Sequence, residues 1–216
     1  MDQSSIEDGT VMLMRTTRGT LRTVEYRNHR VYKHFAIVKW PGDLRKPWRR
    51  EAKALQHLEK NGIECPQFFS LEEEHRKAVL CKEYLVGEPL SEITSTNVRL
   101  VAGALARINA SGVFTCDPHV GNFLEVTADK FIFIDFGRSR IFRNRLFFFL
   151  FYLGKERARI AQLLLSESDH GLKEAFWNAY SEALGAINDP VNIAGLSEKY
   201  WLNKATKKDQ QRIKNA

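Results

Sequence analysis

Two short segments carry the side chains with the most specific chemistry. The first reads Asp117-Pro118-His119-Val120-Gly121-Asn122-Phe123, and the second, a little further on, reads Asp135-Phe136-Gly137. A carboxylate held in a loop can orient a hydroxyl and take its proton. An amide oxygen and a second carboxylate can together hold a hard cation such as Mg²⁺. Phosphoryl transfer asks for little else from a protein: an oriented acceptor, and positive charge where the phosphates develop negative charge. Asp117 is therefore the candidate base, and Asn122 and Asp135 are the candidate metal ligands. His119 has no cysteine or histidine cluster near it and reads as a residue that shapes the loop.

Two further candidates lie upstream. Lys33 sits in Val31-Tyr32-Lys33-His34-Phe35, a strand-like stretch, and Glu51 lies on a helix expected over 48–60. Glu51, Leu55 and Leu58 fall at i, i+4 and i+7, so an acid shares the inward face with two leucines. Such an acid needs a buried partner, since an unpaired buried charge is costly. Lys33 is the favoured partner. Lys39, in Ala36-Ile37-Val38-Lys39, is the rival, but Pro41-Gly42 follows it at once.

The elements that must position these residues are legible in outline. Strand formers run from 20 to 39, with a hairpin turn over Arg27-Asn28-His29. The helix at 48–60 stops at Asn61-Gly62. A strand is expected over 79–85, and residues 83–89 read as a connector. An amphipathic helix follows around Val101, Ala104, Leu105 and Ile108, closed by Ser111-Gly112. Residues 123–126 and 131–134 form a strand–turn–strand pair that delivers Asp135 at its exit. Helices are expected over 147–165 and 172–184, with Trp177 and Tyr180 in the core, and a basic tail comes last. The fold class is α+β: a strand-rich first lobe (1–85) that anchors nucleotide, and a reduced helical second lobe (86–216).

Composition sets the outer limits. The chain has 216 residues, 44% hydrophobic and 27% charged, an ordinary globular balance that excludes disorder. Its formal charge of +7 calls for an anionic partner. Cys65, Cys81 and Cys116 lack metal-ligand spacing and read as small buried residues in a reducing compartment. The polar, acidic first residues lack the pattern of a secretory leader. The apolar run at 146–153 is too short to span a bilayer, which takes roughly 20 residues.

The order Asp-x4-Asn, hairpin, Asp-Phe-Gly is similar to the catalytic and metal-binding loops of kinases. More specifically, the chain resembles the lipopolysaccharide core kinases, the heptose and Kdo kinases. The likeness rests on Val-Tyr-Lys-His-Phe at 31–35, Glu-Ala-Lys-Ala-Leu-Gln-His-Leu-Glu-Lys-Asn-Gly-Ile-Glu-Cys-Pro at 51–66, and Glu-Tyr-Leu-Val-Gly-Glu-Pro-Leu at 83–90. It resumes with Gly-Val-Phe-Thr-Cys-Asp-Pro-His-Val-Gly-Asn-Phe at 112–123 and Ile-Asp-Phe-Gly-Arg at 134–138. This resemblance implies ATP-dependent phosphorylation of an inner-core sugar on the cytoplasmic face of the inner membrane. It assigns Lys33 and Glu51 to phosphate anchoring, Asp117 to base catalysis, and Asn122 with Asp135 to Mg²⁺. The backbone of Glu83 to Leu85 would hold adenine. No nucleic acid partner is expected.

The departures are informative. No Gly-x-Gly-x-x-Gly precedes Lys33, and Gly19 is the only glycine near the expected turn. Thr115 and Cys116 stand where protein kinases carry histidine and arginine, and Ala-Pro-Glu is absent. These favour a small-molecule or glycolipid acceptor over a protein, although a compact protein kinase remains the rival, with a non-catalytic kinase-like module behind it. Asp-Pro-His-x-Gly-Asn also resembles an atypical kinase-like family of quinone biosynthesis, whose Lys-x-Gly-Gln motif is missing here. Aminoglycoside phosphotransferases share Asp-x4-Asn but pair with cationic drugs, which a basic chain does not suit.

The acceptor is expected to be an anionic glycolipid or phosphosugar. Arg138, Arg140 and Arg143, with Arg145, follow Asp-Phe-Gly with no acid among them. Guanidinium groups bind phosphates and carboxylates through paired donors. The aromatic stretch 147–151 and the basic tail beside these arginines suggest peripheral contact with an anionic membrane.

Overall fold

In a computed structural model the structure describes residues 11–144, 147, 152–164 and 170–184. The first part is an antiparallel five-stranded sheet in the order β1-β2-β3-β5-β4. Its strands are β1 (Val11–Thr17), β2 (Thr20–Arg27), β3 (Arg30–Ile37), β4 (Phe68–Glu74) and β5 (Lys77–Glu83). Tight hairpins join β1 to β2, β2 to β3 and β4 to β5. The first two turn at Arg18-Gly19 and Asn28-His29, where both residues of each pair have positive φ. That is the turn whose twist matches paired strands.

Helix α1 (Pro47–Lys60) crosses the sheet between β3 and β4. Proline at its first position costs no hydrogen bond, because that amide has no partner inside a helix. Trp48, Ala52, Leu55 and Leu58 are buried along one face, and Glu51 is buried with them. Phe35, Trp48, Ala52, Ala78 and Leu80 form the small core under the sheet.

The chain leaves the sheet at Glu83, and by β6 (Glu88–Pro89) it already pairs with β8 (Phe123–Thr127) of a second sheet, β6-β8-β9, completed by β9 (Lys130–Phe133). Helix α2 (Val98–Ala110) is buried on most sides and packs on α4 (His170–Leu184). Phe176, Trp177 and Tyr180 of α4 lie in the main core with Leu105, Ile108, Phe123, Phe133 and Phe136. A short ladder of β7 (Val113–Phe114) with β10 (Arg140–Ile141), and helix α3 (Leu153–Leu163), complete the second part.

The strand at 79–85, the helix at 48–60 and the 123–134 hairpin lie where the sequence indicates. Strands β1 and β4 were not expected. The helix expected over 147–165 is described from Leu153 to Leu163, and residues 148–151 and the basic tail lie outside the described residues. No helix among the described residues is long and apolar enough to cross a membrane.

Candidate active site

The register of the β8–β9 hairpin builds the centre of the site. Phe123 pairs with Phe133, and just beyond that rung the Ile134 amide donates to the Asn122 carbonyl at 2.9 Å. Asn122 at the entry and Asp135 at the exit are thereby held side by side. Phe136 is fully buried against Phe133, ring centroids 5.1 Å apart, which fixes the chain immediately after Asp135. The Gly137 amide then donates back to Asp135 Oδ1 at 3.1 Å.

The loop carrying Asp117 is equally constrained. The His119 amide donates to the Asp117 carbonyl at 3.1 Å, and the His119 carbonyl accepts from the Asn122 amide at 2.9 Å. Asn122 Nδ2 donates to the Asp117 carbonyl at 2.9 Å. With its nitrogen engaged there, Asn122 has its Oδ1 to offer a cation. One carboxylate and one amide oxygen are few ligands, but they fit Mg²⁺, which keeps waters and takes the rest of its shell from substrate phosphates. No group of three or more His, Cys, Asp or Glu side chains suited to a metal occurs among the described residues. Asp117 Oδ2 accepts from Arg138 Nη1 at 2.8 Å at the open side of the cavity.

Lys33, and not Lys39, meets Glu51. Lys33 Nζ donates to both Glu51 oxygens at 2.7 and 2.9 Å and lies 3.5 Å from Asp135 Oδ1. Lys39 is exposed beyond the end of β3. Burial works against the Lys33 ammonium, but the carboxylates of Asp135 and Glu51 outweigh it and raise its pKa. Lys33 is in turn the main reason that the Asp135 carboxyl is held far below its usual range, with Lys82 and Arg22 adding to the effect against the cost of burial.

Lys82 was not singled out from the sequence. It is 4% exposed, and its Nζ donates to Glu51 Oε1 at 2.8 Å and to the Ile134 carbonyl at 2.6 Å. Burial, together with the repelling charge of Lys33, lowers its pKa, and Glu51 offsets this only in part. Two lysines and two carboxylates thus form one electrically balanced network, buried except at the partly exposed Asp135. Arg22 extends it outward, 3.6 Å from Asp135 Oδ2.

A second support lies behind the loop. Glu156 of α3 is fully buried and accepts from the Thr115 amide at 2.8 Å, Asn109 Nδ2 at 3.1 Å, the Cys116 amide at 3.4 Å and the Thr115 hydroxyl. Tyr180 donates to Asn109 Oδ1 at 2.6 Å. Cys116 has φ +66°, an uncommon conformation for a residue with a Cβ, just before Asp117. These bonds hold that strained turn and so aim Asp117. Burial pushes the Cys116 and Cys65 thiols up to about 11, which favours the protonated form over the nucleophilic thiolate.

A cavity of about 430 Å³ is lined by Lys33's partners Glu51 and Asp135, by Asp117, His119 and Asn122, and by Arg138. The remaining acceptor candidates lie elsewhere. Arg140 is exposed on β10, and Arg143 is exposed beyond it; neither lines the cavity. Arg145 lies outside the described residues. Glu83 and Leu85 are also outside the cavity lining. The Glu83 amide is bonded to the Gln67 carbonyl and the Tyr84 amide to the His29 carbonyl. Of the three residues expected to hold adenine, that leaves Leu85 as the one whose amide can donate to a base.

Residues 47–153 match the model of the ABC1 atypical kinase-like domain. Among solved structures, the chain is similar to the bifunctional kinase-methyltransferase WbdD, at 17% identity and a TM-score of 0.56, over 82% of this chain and 42% of that one. It is also similar to monomeric WbdD, at 20% identity and a TM-score of 0.53, over 82% of this chain and 44% of that one. The fold is kinase-like. The chain spans less than half the length of these WbdD structures. No curated protein matches. Of the resemblances read from the sequence, the one to an atypical kinase-like family has a matching model. That model covers α1 to the start of α3, and leaves out the β1–β3 hairpins that carry Lys33.

Proposed function

We propose that the protein transfers the γ-phosphoryl group of ATP to a hydroxyl of an anionic sugar, in keeping with a sugar of the lipopolysaccharide inner core. The observation that carries this reading is the convergence of Asp117, Asn122 and Asp135 on one cavity, also lined by Glu51, which binds Lys33 and Lys82 behind it. In this reading Asn122 Oδ1 and Asp135 would hold magnesium, which would supply positive charge to offset that of the phosphates. Lys33, fixed by Glu51, anchors the inner phosphates. Asp117 accepts the acceptor's hydroxyl proton as its oxygen bonds to the γ-phosphorus. The bond from that phosphorus to the bridging oxygen breaks, and ADP leaves with the electron pair.

Arg138 sits on the acceptor side of the cavity, bound to Asp117, where a phosphate or carboxylate on the incoming sugar could engage the same guanidinium. A bilayer-borne acceptor is supported by residues 38–46. Val38, Trp40 and Leu44 are 58%, 74% and 76% exposed there, beside Lys39 and Lys46, and Asp43 and Arg45 of the same loop line the cavity. Exposed tryptophan and leucine among cations suit the interface of an anionic membrane. The test is phosphate transfer from labelled ATP to purified core glycolipid and, separately, to the proteins of a cell lysate. Labelled glycolipid supports the reading, and label confined to protein replaces it with a protein kinase.

A further inference from the structure

We propose that the β1–β2 hairpin grips the phosphate arm of the nucleotide with arginine side chains, Arg15 and Arg22 with Arg18 at the tip, in the place where backbone amides of a glycine-rich turn would otherwise do so. This rests on the phosphotransferase reading above and names how its nucleotide is held.

Arg15, Thr17, Arg18, Thr20 and Arg22 all line the cavity. They are two rungs and a tip of one hairpin: Arg15 pairs with Arg22, and Thr17 with Thr20. Like charges directly opposite each other destabilise a strand pair. A roof shaped for stability alone would put opposite signs on that rung. The surrounding acids do not cancel the charge. Asp43 is held by two bonds from the Arg45 side chain, at 2.9 and 2.7 Å, and feels Arg18 at the tip more weakly, and Glu25 is bonded to His34. Asp117 is bonded to Arg138, and Glu51 to the two lysines. Only Asp135 approaches the rung, at 3.6 Å from Arg22. Neither Arg15 nor Arg18 forms a salt bridge among the described residues.

The amide route is closed by the geometry of the tip. The turn is only two residues long, Arg18-Gly19, with φ of +50° and +73°. The Gly19 carbonyl accepts from the amides of Val38 and Lys39 at 2.9 and 3.0 Å, and a Cβ on Gly19 would lie 2.3 Å from the Lys39 carbonyl oxygen. Gly19 is therefore required for packing the tip against the loop after β3. A short, pinned turn offers no open cradle of amides, whereas Arg15 and Arg22 of one rung both line the cavity, Arg22 beside Asp135. Phosphate oxygens between them would convert a repulsive rung into a bridged one, with the paired donor geometry that guanidinium offers.

The experiment measures binding of adenosine, AMP, ADP and ATP with magnesium to the full chain, to R15Q/R22Q, to each single variant and to R15K/R22K. The unmodified protein should gain affinity stepwise with each phosphate. R15Q/R22Q should bind ATP roughly 10- to 100-fold more weakly, bind adenosine as before, and melt close to the parent, because the repulsion removed between the two arginines offsets the lost Arg22–Asp135 contact. R15K/R22K should recover part of the loss. An ATP affinity in R15Q/R22Q within about twofold of the parent's overturns the clamp. So does an unchanged ATP affinity with a raised acceptor KM, which assigns the pair to the acceptor's anion. If the unmodified protein does not prefer ATP over adenosine, the phosphotransferase reading itself fails, a result visible without any variant.

Discussion

Replacing Glu51 with glutamine should destabilise the protein more than replacing either lysine that it holds. Glu51 accepts two bonds from Lys33 and one from Lys82, all between 2.7 and 2.9 Å, at a position 1% exposed. K33M leaves the carboxylate paired with Lys82, and K82M leaves it paired with Lys33, so each loses about 1.5–3 kcal/mol of charged hydrogen bonding. E51Q instead leaves two buried ammonium groups with a neutral amide between them. Breaking a buried pair in that sense costs about 3–5 kcal/mol. For a chain of this size the loss corresponds to a drop of roughly 6–20 °C in melting midpoint. K33M/K82M should cost more than the sum of its single variants, because only the pair orphans Glu51. The sign of the pH effect follows from Lys82, whose pKa is lowered from 10.5 by burial and by Lys33. In E51Q the folded state should bind fewer protons than the unfolded state below 10.5, so the variant should regain stability as pH rises from neutral toward that value. Urea unfolding of the four variants, with melting curves at several pH values, reads all of this. An E51Q loss below about 1 kcal/mol, or a K33M loss equal to it, would refute the shared-anion account.

Three other outcomes are expected. R138Q should raise the acceptor KM several-fold while leaving the Kd for ATP unchanged, measured by steady-state kinetics and direct nucleotide binding. E156Q puts an amide donor among the Thr115, Cys116 and Asn109 donors. It should lower kcat and cost about 1–3 kcal/mol for each donor left unmet. Because burial raises the Glu156 pKa from 4.5, the folded state holds its proton longer; stability therefore falls as pH rises above 4.5, and E156Q should remove that slope in urea titrations. W40S/L44S should weaken sedimentation with anionic vesicles and leave turnover on a soluble acceptor intact, with gel filtration showing whether the patch instead pairs two copies.

The centre of the site was legible because two patterns coincide in it. Asn122 and Asp135 flank two short strand-forming runs joined by a turn, so hairpin pairing alone brings them together. Glu51 betrayed itself as an acid on an apolar helix face. Lys82 gave a weaker signal. It is in phase with Leu80 on the inward face of β5, but a lysine between Cys81 and Glu83 reads as a solvated strand residue, and only Glu51's spare lone pairs call for it. Strand β4 ends in Glu72, Glu73 and Glu74, which reads as a loop. It is an edge strand, where charge is usual, and Glu73 accepts from Trp48 Nε1 and Arg49. Glu156 could not be found locally, since its partners lie about forty residues upstream. The arginines of β1 and β2 became meaningful only once the register set Arg15 opposite Arg22.

The central claim is that Asp117 and Asp135 share one phosphoryl-transfer centre with separate duties. The most direct measurement compares magnesium-dependent ATP binding with phosphate transfer to core glycolipid in the parent, D117N and D135A. The account predicts that D117N binds ATP and magnesium as the parent does but transfers phosphate roughly 10²–10⁴-fold more slowly, whereas D135A loses the magnesium dependence of binding itself. A folded D117N that turns over at the parental rate, or a D135A whose ATP binding still responds fully to magnesium, would contradict it.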